Sequence, residues 1–371
     1  MKKRAGLILL LFLFPLLLIQ DPRAGAARAR IETLKDIPYR GAITVAEDGT
    51  VLFADSENKP CYPASIVKLM MLLIIQEKLE SGTLELDEEV IATAEAAGMG
   101  GSQVYLAENE IFSIEDLLYA LIIQSANDAA VALAVHVAGS KDGFVEMMNK
   151  RARELGMDDT EFHSVHGLPP GKGQKPDIST PQDIAVLGRE LFRHPAIFRY
   201  TSASLRSFRN GTFEMRSHNP LLEDFPGCDG LKTGYFRAGG FSIAAAAERE
   251  GRRVLTVVLG SEKKEERNRS ARELLARAFS SLPPAPEGVK GAEKGTDGVP
   301  PLPAEAESGE IETALPPAEK VTCDTEETAG GGGSIFLYLI VFLLQAGLFF
   351  WLGRRSVRKR KSHLPPSVLQ R

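Results

Sequence analysis

Ser242-Ile243-Ala244-Ala245-Ala246-Ala247, then Glu248 to Arg253, then Val254-Leu255-Thr256-Val257-Val258-Leu259: this is the stretch on which the fold of the 371-residue chain turns. Two apolar runs of strand length flank a short polar connection, the pattern of an antiparallel hairpin. A second hairpin signal lies far upstream, where Ala42-Ile43-Thr44-Val45 and Val51-Leu52-Phe53 are separated by Glu47-Asp48-Gly49-Thr50. Between the hairpins the period becomes helical. A helix is predicted from near Ser65 through Leu69, Leu72, Ile75 and Leu79. Ser113, followed by Glu115 and Asp116, should cap a second helix reaching Gln124, and a third runs from Ala129 to Val137. Thr180-Pro181, with Asp183 behind, opens another, and a last helix spans about Lys264 to Phe279. Strands first, helices in the middle, strands again and a final helix predict an α+β fold. Its two ends share one antiparallel sheet, flanked by helices, with a mostly helical subdomain inserted.

Both ends of the chain differ from this body. Lys2, Lys3 and Arg4 precede an apolar run from Ala5 to Ile19, and small residues follow at Ala24, Gly25, Ala26, Ala27 and Ala29. That is the pattern of a secretory signal over residues 1–29, expected to be cleaved near 26–29, with an uncleaved membrane anchor as the alternative. Residues 30–281 carry the periodic patterning. Residues 282–333 hold eight prolines, eleven acids and three lysines and end in Gly330 to Gly333, the composition of a disordered, self-repelling tether. Ile335 to Leu352 has one polar side chain, Gln345, with Trp351 at its edge. At ~1.5 Å per residue it can nearly cross a hydrocarbon layer of ~30 Å, so 334–353 is expected to be a transmembrane helix. Arg354, Arg355, Arg358, Lys359, Arg360 and Lys361 form a basic tail over 354–371. That tail should stay in the cytoplasm and place the body on the outer face of the cytoplasmic membrane. The formal net charge is −5, and no basic stripe in the body points to a nucleic-acid partner. The three cysteines, Cys61, Cys228 and Cys323, show no metal-ligand spacing. Cys61 lies four residues before Ser65 and Cys228 four before Lys232, so either a disulfide between them or two buried free thiols fits the sequence.

Three short motifs carry chemistry. In Pro63-Ala64-Ser65-Ile66-Val67-Lys68 the serine and lysine are three apart, on one face of a helix. A serine hydroxyl needs a base within hydrogen-bond reach, and a desolvated lysine can serve. Ser65 at a helix start also brings backbone N–H groups near a developing oxyanion. Ser125-Ala126-Asn127 sits at the junction of two helices. Gly230-Leu231-Lys232-Thr233-Gly234-Tyr235 leads into the strong hairpin, with Lys232 and Thr233 suited to an anion and Gly234 to a close backbone approach. Each motif alone also fits a cap or an ordinary solvated residue. Their order and structural context are far more specific than any one of them.

On these motifs, with His166-Gly167-Leu168 and Ser179-Thr180-Pro181-Gln182-Asp183, residues 30–280 resemble the D-alanyl-D-alanine carboxypeptidase family (serine peptidase family S11), the low-molecular-weight penicillin-binding proteins. The resemblance implies a β-lactamase/transpeptidase-like fold and a serine D,D-carboxypeptidase acting on peptidoglycan stem peptides. It makes Ser65 the nucleophile and Lys68 its base, with Ser125 and Lys232 passing a proton and Asn127 orienting Lys68 and substrate. Lys232 and Thr233 would bind the terminal carboxylate, and backbone N–H groups of Ser65 and Tyr235 would form the oxyanion hole beside Gly234. It implies no metal or organic cofactor, and β-lactams as inhibitors that acylate Ser65. Many relatives also carry a β-rich second domain, whereas here the acidic stretch follows residue 281. A D,D-endopeptidase of the same fold, an inactive wall-binding protein and a class A β-lactamase are the competing readings. The last requires a Glu-x-x-Leu-Asn stretch that residues 140–200 lack.

Overall fold

The computed structural model describes residues 39–283, which belong to one compact unit. The signal segment, the acidic tether, the 334–353 helix, the basic tail and Cys323 lie outside the described residues. Among those described, no helix is long and apolar enough to cross a membrane.

In chain order the main elements are β1 (Gly41–Ala46), β2 (Val51–Asp55), α1 (Lys68–Glu80), α2 (Ile114–Tyr119), α3 (Asn127–Ala138), α4 (Lys141–Glu154), α5 (Pro181–Leu191), β3 (Cys228–Phe236), β4 (Gly240–Arg249), β5 (Arg252–Ser261) and α6 (Lys264–Ser281). The five strands form one antiparallel sheet in the order β2-β1-β5-β4-β3. The first and last parts of the body therefore pair directly, Gly41 opposite Leu259 and Ala46 opposite Val254. Two short hairpins, Glu89–Ile91 with Ile111–Ser113 and Leu205–Phe208 with Phe213–Arg216, belong to the inserted part.

The sheet divides two apolar clusters. Ala244, Ala246, Leu255, Val257 and Leu259 face the helical insertion, while Ile243, Ala245, Ala247, Val254 and Val258 face α6 with Ala271, Leu274, Leu275 and Ala278. Burial of both faces explains why the β4 and β5 sequences run apolar without alternating. Small side chains let the helices lie close: a Cβ on Gly188 of α5 would stand 2.4 Å from Leu255 Cδ2. The two cysteines fall on opposite sides of this divide, Cys61 in the helical cluster and Cys228 in the α6 cluster, and both are free. The possible Cys61–Cys228 disulfide is thereby ruled out, because the sheet separates the thiols.

Helix α1 is buried on all sides from Lys68 to Gln76, the pattern of a helix running through a core. The expected caps are present: the Ser113 hydroxyl accepts from Asp116 N and the Thr180 hydroxyl from Asp183 N. Helix α4 was not apparent in the sequence. Its charged residues outnumber the few that reach the core, Phe144, Met148 and Ala152.

Candidate active site

Three chain segments converge at one end of β3. The first carries Ser65. It opens as a 3-10 turn, Ala64–Val67, entered through Ala64 at φ 51°, and continues into α1 at Lys68. Two glycines make room for it. A Cβ on Gly167 would lie 2.1 Å from Ala64 O and 2.8 Å from Ser65 N; one on Gly234 would lie 2.6 Å from Pro63 O and 3.1 Å from Ser65 N. The backbone of the Ser65 segment is thus pressed between the 163–177 loop and β3, where no side chain fits.

Lys68 is fully buried; its Nζ donates to Asn127 Oδ1 at 2.7 Å and to the carbonyl oxygen of His166 at 2.9 Å, and lies within hydrogen-bond distance of Ser65 Oγ, at 3.1 Å. Burial drives its pKa well below that of an ordinary lysine, and the charge of Lys232 pushes the same way, against the attraction of Asp128 and Asp177. A lysine with a lowered pKa aimed at a hydroxyl is the arrangement a general base requires: in its neutral form two N–H groups serve Asn127 and His166 and the lone pair is left for the Ser65 hydroxyl proton.

The second segment carries Ser125 and Asn127. The helix from α2 ends in a π-helical turn, Ala120–Gln124, and Ser125 takes a left-handed conformation at φ 60° before α3 begins. This break aims two successive polar residues at the cleft. Asn127 is fixed on three sides: Oδ1 accepts from Lys68, Nδ2 donates to Gly100 O at 2.7 Å, and its backbone N donates to Ser102 O. Asp128, buried beside it, accepts from Val104 N, Leu106 N and Ala129 N and so holds the 100–106 loop over the site.

The third segment is β3. Lys232 and Thr233 lie inside this strand and are buried. Burial, then the nearby Arg267, push the Lys232 pKa down to about 7. Gly234 gives the close approach described above, and Tyr235 is 54% exposed with its ring stacked on Phe241.

The cleft, about 250 Å³, is lined by Ser65, Ser102, Ser125, His218, Thr233, Gly234, Tyr235, Phe241, Lys264 and Arg267. The structure therefore brings Ser65, Lys68, Ser125, Asn127, Lys232, Thr233, Gly234 and Tyr235 together. It also supplies residues the sequence did not single out. Arg267 of α6 is 3% exposed, and burial lowers its pKa only to about 10, so it presents a cation to the cleft at neutral pH. His218 lines the same wall, held neutral by burial and neighbouring cations that lower its pKa to about 4. His166 acts through its carbonyl, placed by a loop that Asp177 closes by accepting from His163 N, Ser164 N and the Ser164 hydroxyl. None of the described residues lining the cleft is a carboxylate.

Among the described residues, Glu77, Glu190 and His194 form the one cluster with metal-like spacing. Arg151 already bonds both glutamates, at 2.7 and 2.9 Å, and the cluster shares no residue with the cleft.

The family model for D-alanyl-D-alanine carboxypeptidase matches residues 31–263. The D-alanyl-D-alanine carboxypeptidase DacF of Bacillus subtilis is 34% identical over 245 residues, which are 65% of this chain and 62% of that protein. DacD of Escherichia coli is 34% identical over 233 residues, 61% and 59% of the two chains. The chain thus spans about three-fifths of the length of these relatives. Among solved structures, penicillin binding protein 6B from Escherichia coli shares 32% identity at a TM-score of 0.61, covering 66% of this chain and 78% of that one. Penicillin-Binding Protein D2 from Listeria monocytogenes, in its ampicillin-bound form, shares 30% identity at a TM-score of 0.59, covering 65% and 97%.

Proposed function

Since the chain belongs to the D-alanyl-D-alanine carboxypeptidase family, we propose that it is a serine carboxypeptidase that removes the terminal D-alanine from peptidoglycan stem peptides. The observation that carries this reading is the 3.1 Å contact from the buried Lys68 amine to Ser65 Oγ. In the first half-reaction Ser65 Oγ attacks the carbonyl carbon between the last two D-alanines and its proton passes to Lys68 Nζ. The negative oxygen is held by the backbone N–H groups of Ser65 and Tyr235. Collapse breaks the C–N bond, and a proton reaches the departing amine by way of Ser125, with Lys232 supporting the relay. The terminal carboxylate sits on Thr233 and Lys232, and the buried Arg267 adds the guanidinium suited to it. Water then cleaves the acyl ester and frees Ser65. β-Lactams acylate the same hydroxyl.

The absence of a carboxylate among the described cleft-lining residues favours a slowly released acyl-enzyme over a β-lactamase's activated water. Nitrocefin is therefore expected to be consumed in roughly one equivalent without rapid turnover. The working place of the domain is the outer face of the cytoplasmic membrane, held by residues 334–353. The signal-like start, the apolar run and the basic tail in the sequence support this. Membrane association lost on deletion of 334–371 tests the anchor. For the activity, the test is free D-alanine released from a pentapeptide ending in D-Ala-D-Ala, with tetrapeptide as co-product and none formed by Ser65→Ala. Unchanged release by that variant overturns the proposal.

A further inference from the structure

A second cavity adjoins the catalytic cleft across the stacked rings of Tyr235 and Phe241, which line both. It measures about 570 Å³ and is walled also by Tyr39, Arg40, Arg237 and Glu262. Its place along β3 gives it a meaning. In the mechanism above, the carboxylate of the departing residue lies at Thr233 and the scissile carbonyl at Tyr235. Strand β3 is the edge of the sheet, so an extended peptide can lie beside it. Continuing past Tyr235 in the same direction leads away from the leaving group, toward the residues that precede the scissile bond. One further step of two residues reaches Arg237, in the turn between β3 and β4. That turn is held in place: Arg40 donates to Ala238 O at 2.8 Å. Arg237 is exposed, and among the described residues it enters no ion pair. Two arginines against the single carboxylate of Glu262 leave this cavity with one positive charge.

We propose that this cavity is the subsite for the amino-terminal part of the substrate, and that Arg237, with Arg40, selects there for a residue carrying a free carboxylate just before the scissile D-Ala-D-Ala pair. The inference rests on the activity proposed above and adds a discrimination that activity does not require. A solvent-accessible arginine–carboxylate pair supports a modest preference.

Three acetylated peptides, identical except for glutamate, glutamine or lysine before D-Ala-D-Ala, give the test. D-alanine release is measured for each as kcat/KM. The expected order is glutamate, glutamine, lysine, with glutamate ahead of glutamine by about fivefold, the upper range for an exposed ion pair. Arg237→Gln should bring the three values together. Arg237→Glu should reverse the order in favour of lysine, a result that a damaged fold does not produce. Equal values for glutamate and glutamine in the native protein, or an order unmoved by Arg237→Glu, overturn the subsite. Release from none of the three overturns the activity itself and the subsite with it.

Discussion

Gly234 and Pro63 stand so close that a Cβ on the glycine would lie 2.6 Å from the proline carbonyl oxygen. This contact seats β3 against the segment that carries Ser65, because the same Cβ would lie 3.1 Å from Ser65 N. Both neighbours are backbone, which cannot swing aside as a side chain can. Gly234→Ala is therefore expected to push β3 and the Ser65 turn apart. Overpacking of this kind costs about 1–3 kcal/mol. A tenfold or greater loss in the rate of fluorescent-penicillin acylation should accompany it, read beside the melting temperature.

Two buried lysines set the pH dependence. In the proposed mechanism Lys68 must be neutral to accept the Ser65 proton, and burial, with the charge of Lys232, drives its pKa well below that of an ordinary lysine, which favours that form. Lowering the pH through that pKa protonates it, and acylation falls. In the same proposal Lys232 works in the opposite sense: its charge would attract the substrate carboxylate and is lost as pH rises through about 7. The kcat/KM profile of the free enzyme should thus be bell-shaped. Because Arg267 keeps its charge, the alkaline fall should be partial, several-fold in depth, and Lys232→Arg should flatten it. A flat profile from pH 5 to 9 contradicts both assignments.

Arg267 should matter more for binding than for bond making. It lines the cleft from α6, and a buried charge-assisted pair with the terminal carboxylate is worth about 1.5–3 kcal/mol. Arg267→Gln is expected to raise KM for D-Ala-D-Ala peptides by about ten- to a hundredfold, with kcat changed much less. Steady-state kinetics that show the reverse split place the arginine elsewhere in the mechanism.

Asp128 holds the wall of the site without entering the chemistry. It accepts three backbone N–H bonds from Val104, Leu106 and Ala129, all buried. Asp128→Ala leaves these donors unpaired, each at a cost of about 1–3 kcal/mol. The melting temperature should fall, and the loop carrying Gly100 and Ser102, which anchors Asn127, should loosen. Hydrogen exchange at residues 100–106 should rise more than at the β4–β5 hairpin.

What the sequence revealed and what it hid have the same physical origin. Local rules were legible: Ser113 and Thr180 as caps, the apolar runs of β4 and β5, the three-residue spacing of Ser65 and Lys68. All are short-range consequences of backbone geometry. Strand β3 was legible as a strand before the hairpin, but Asp229, Lys232 and the glycines break its apolar pattern, so Lys232 read as a strand-end residue. In the sheet, Lys232 is an interior residue whose burial gives it its altered pKa. Arg267 was hidden among Lys263, Lys264, Glu265, Glu266 and Arg269, where one more charge reads as a solvated helix face. His166 contributes a carbonyl oxygen, which every residue has. The relation of Cys61 to Cys228 depended on which face of the sheet each occupied, a tertiary fact that spacing along the chain does not contain.

The central claim is that Ser65 is made nucleophilic by the neutral amine of Lys68. Intact-protein mass after brief exposure to benzylpenicillin, with peptide mapping of the adduct, tests it directly. The native protein should gain the mass of one antibiotic, located on Ser65. Lys68→Ala should acylate at least about a hundredfold more slowly, the scale of a lost general base. An adduct on another residue, or Lys68→Ala labelled at the native rate, would contradict it.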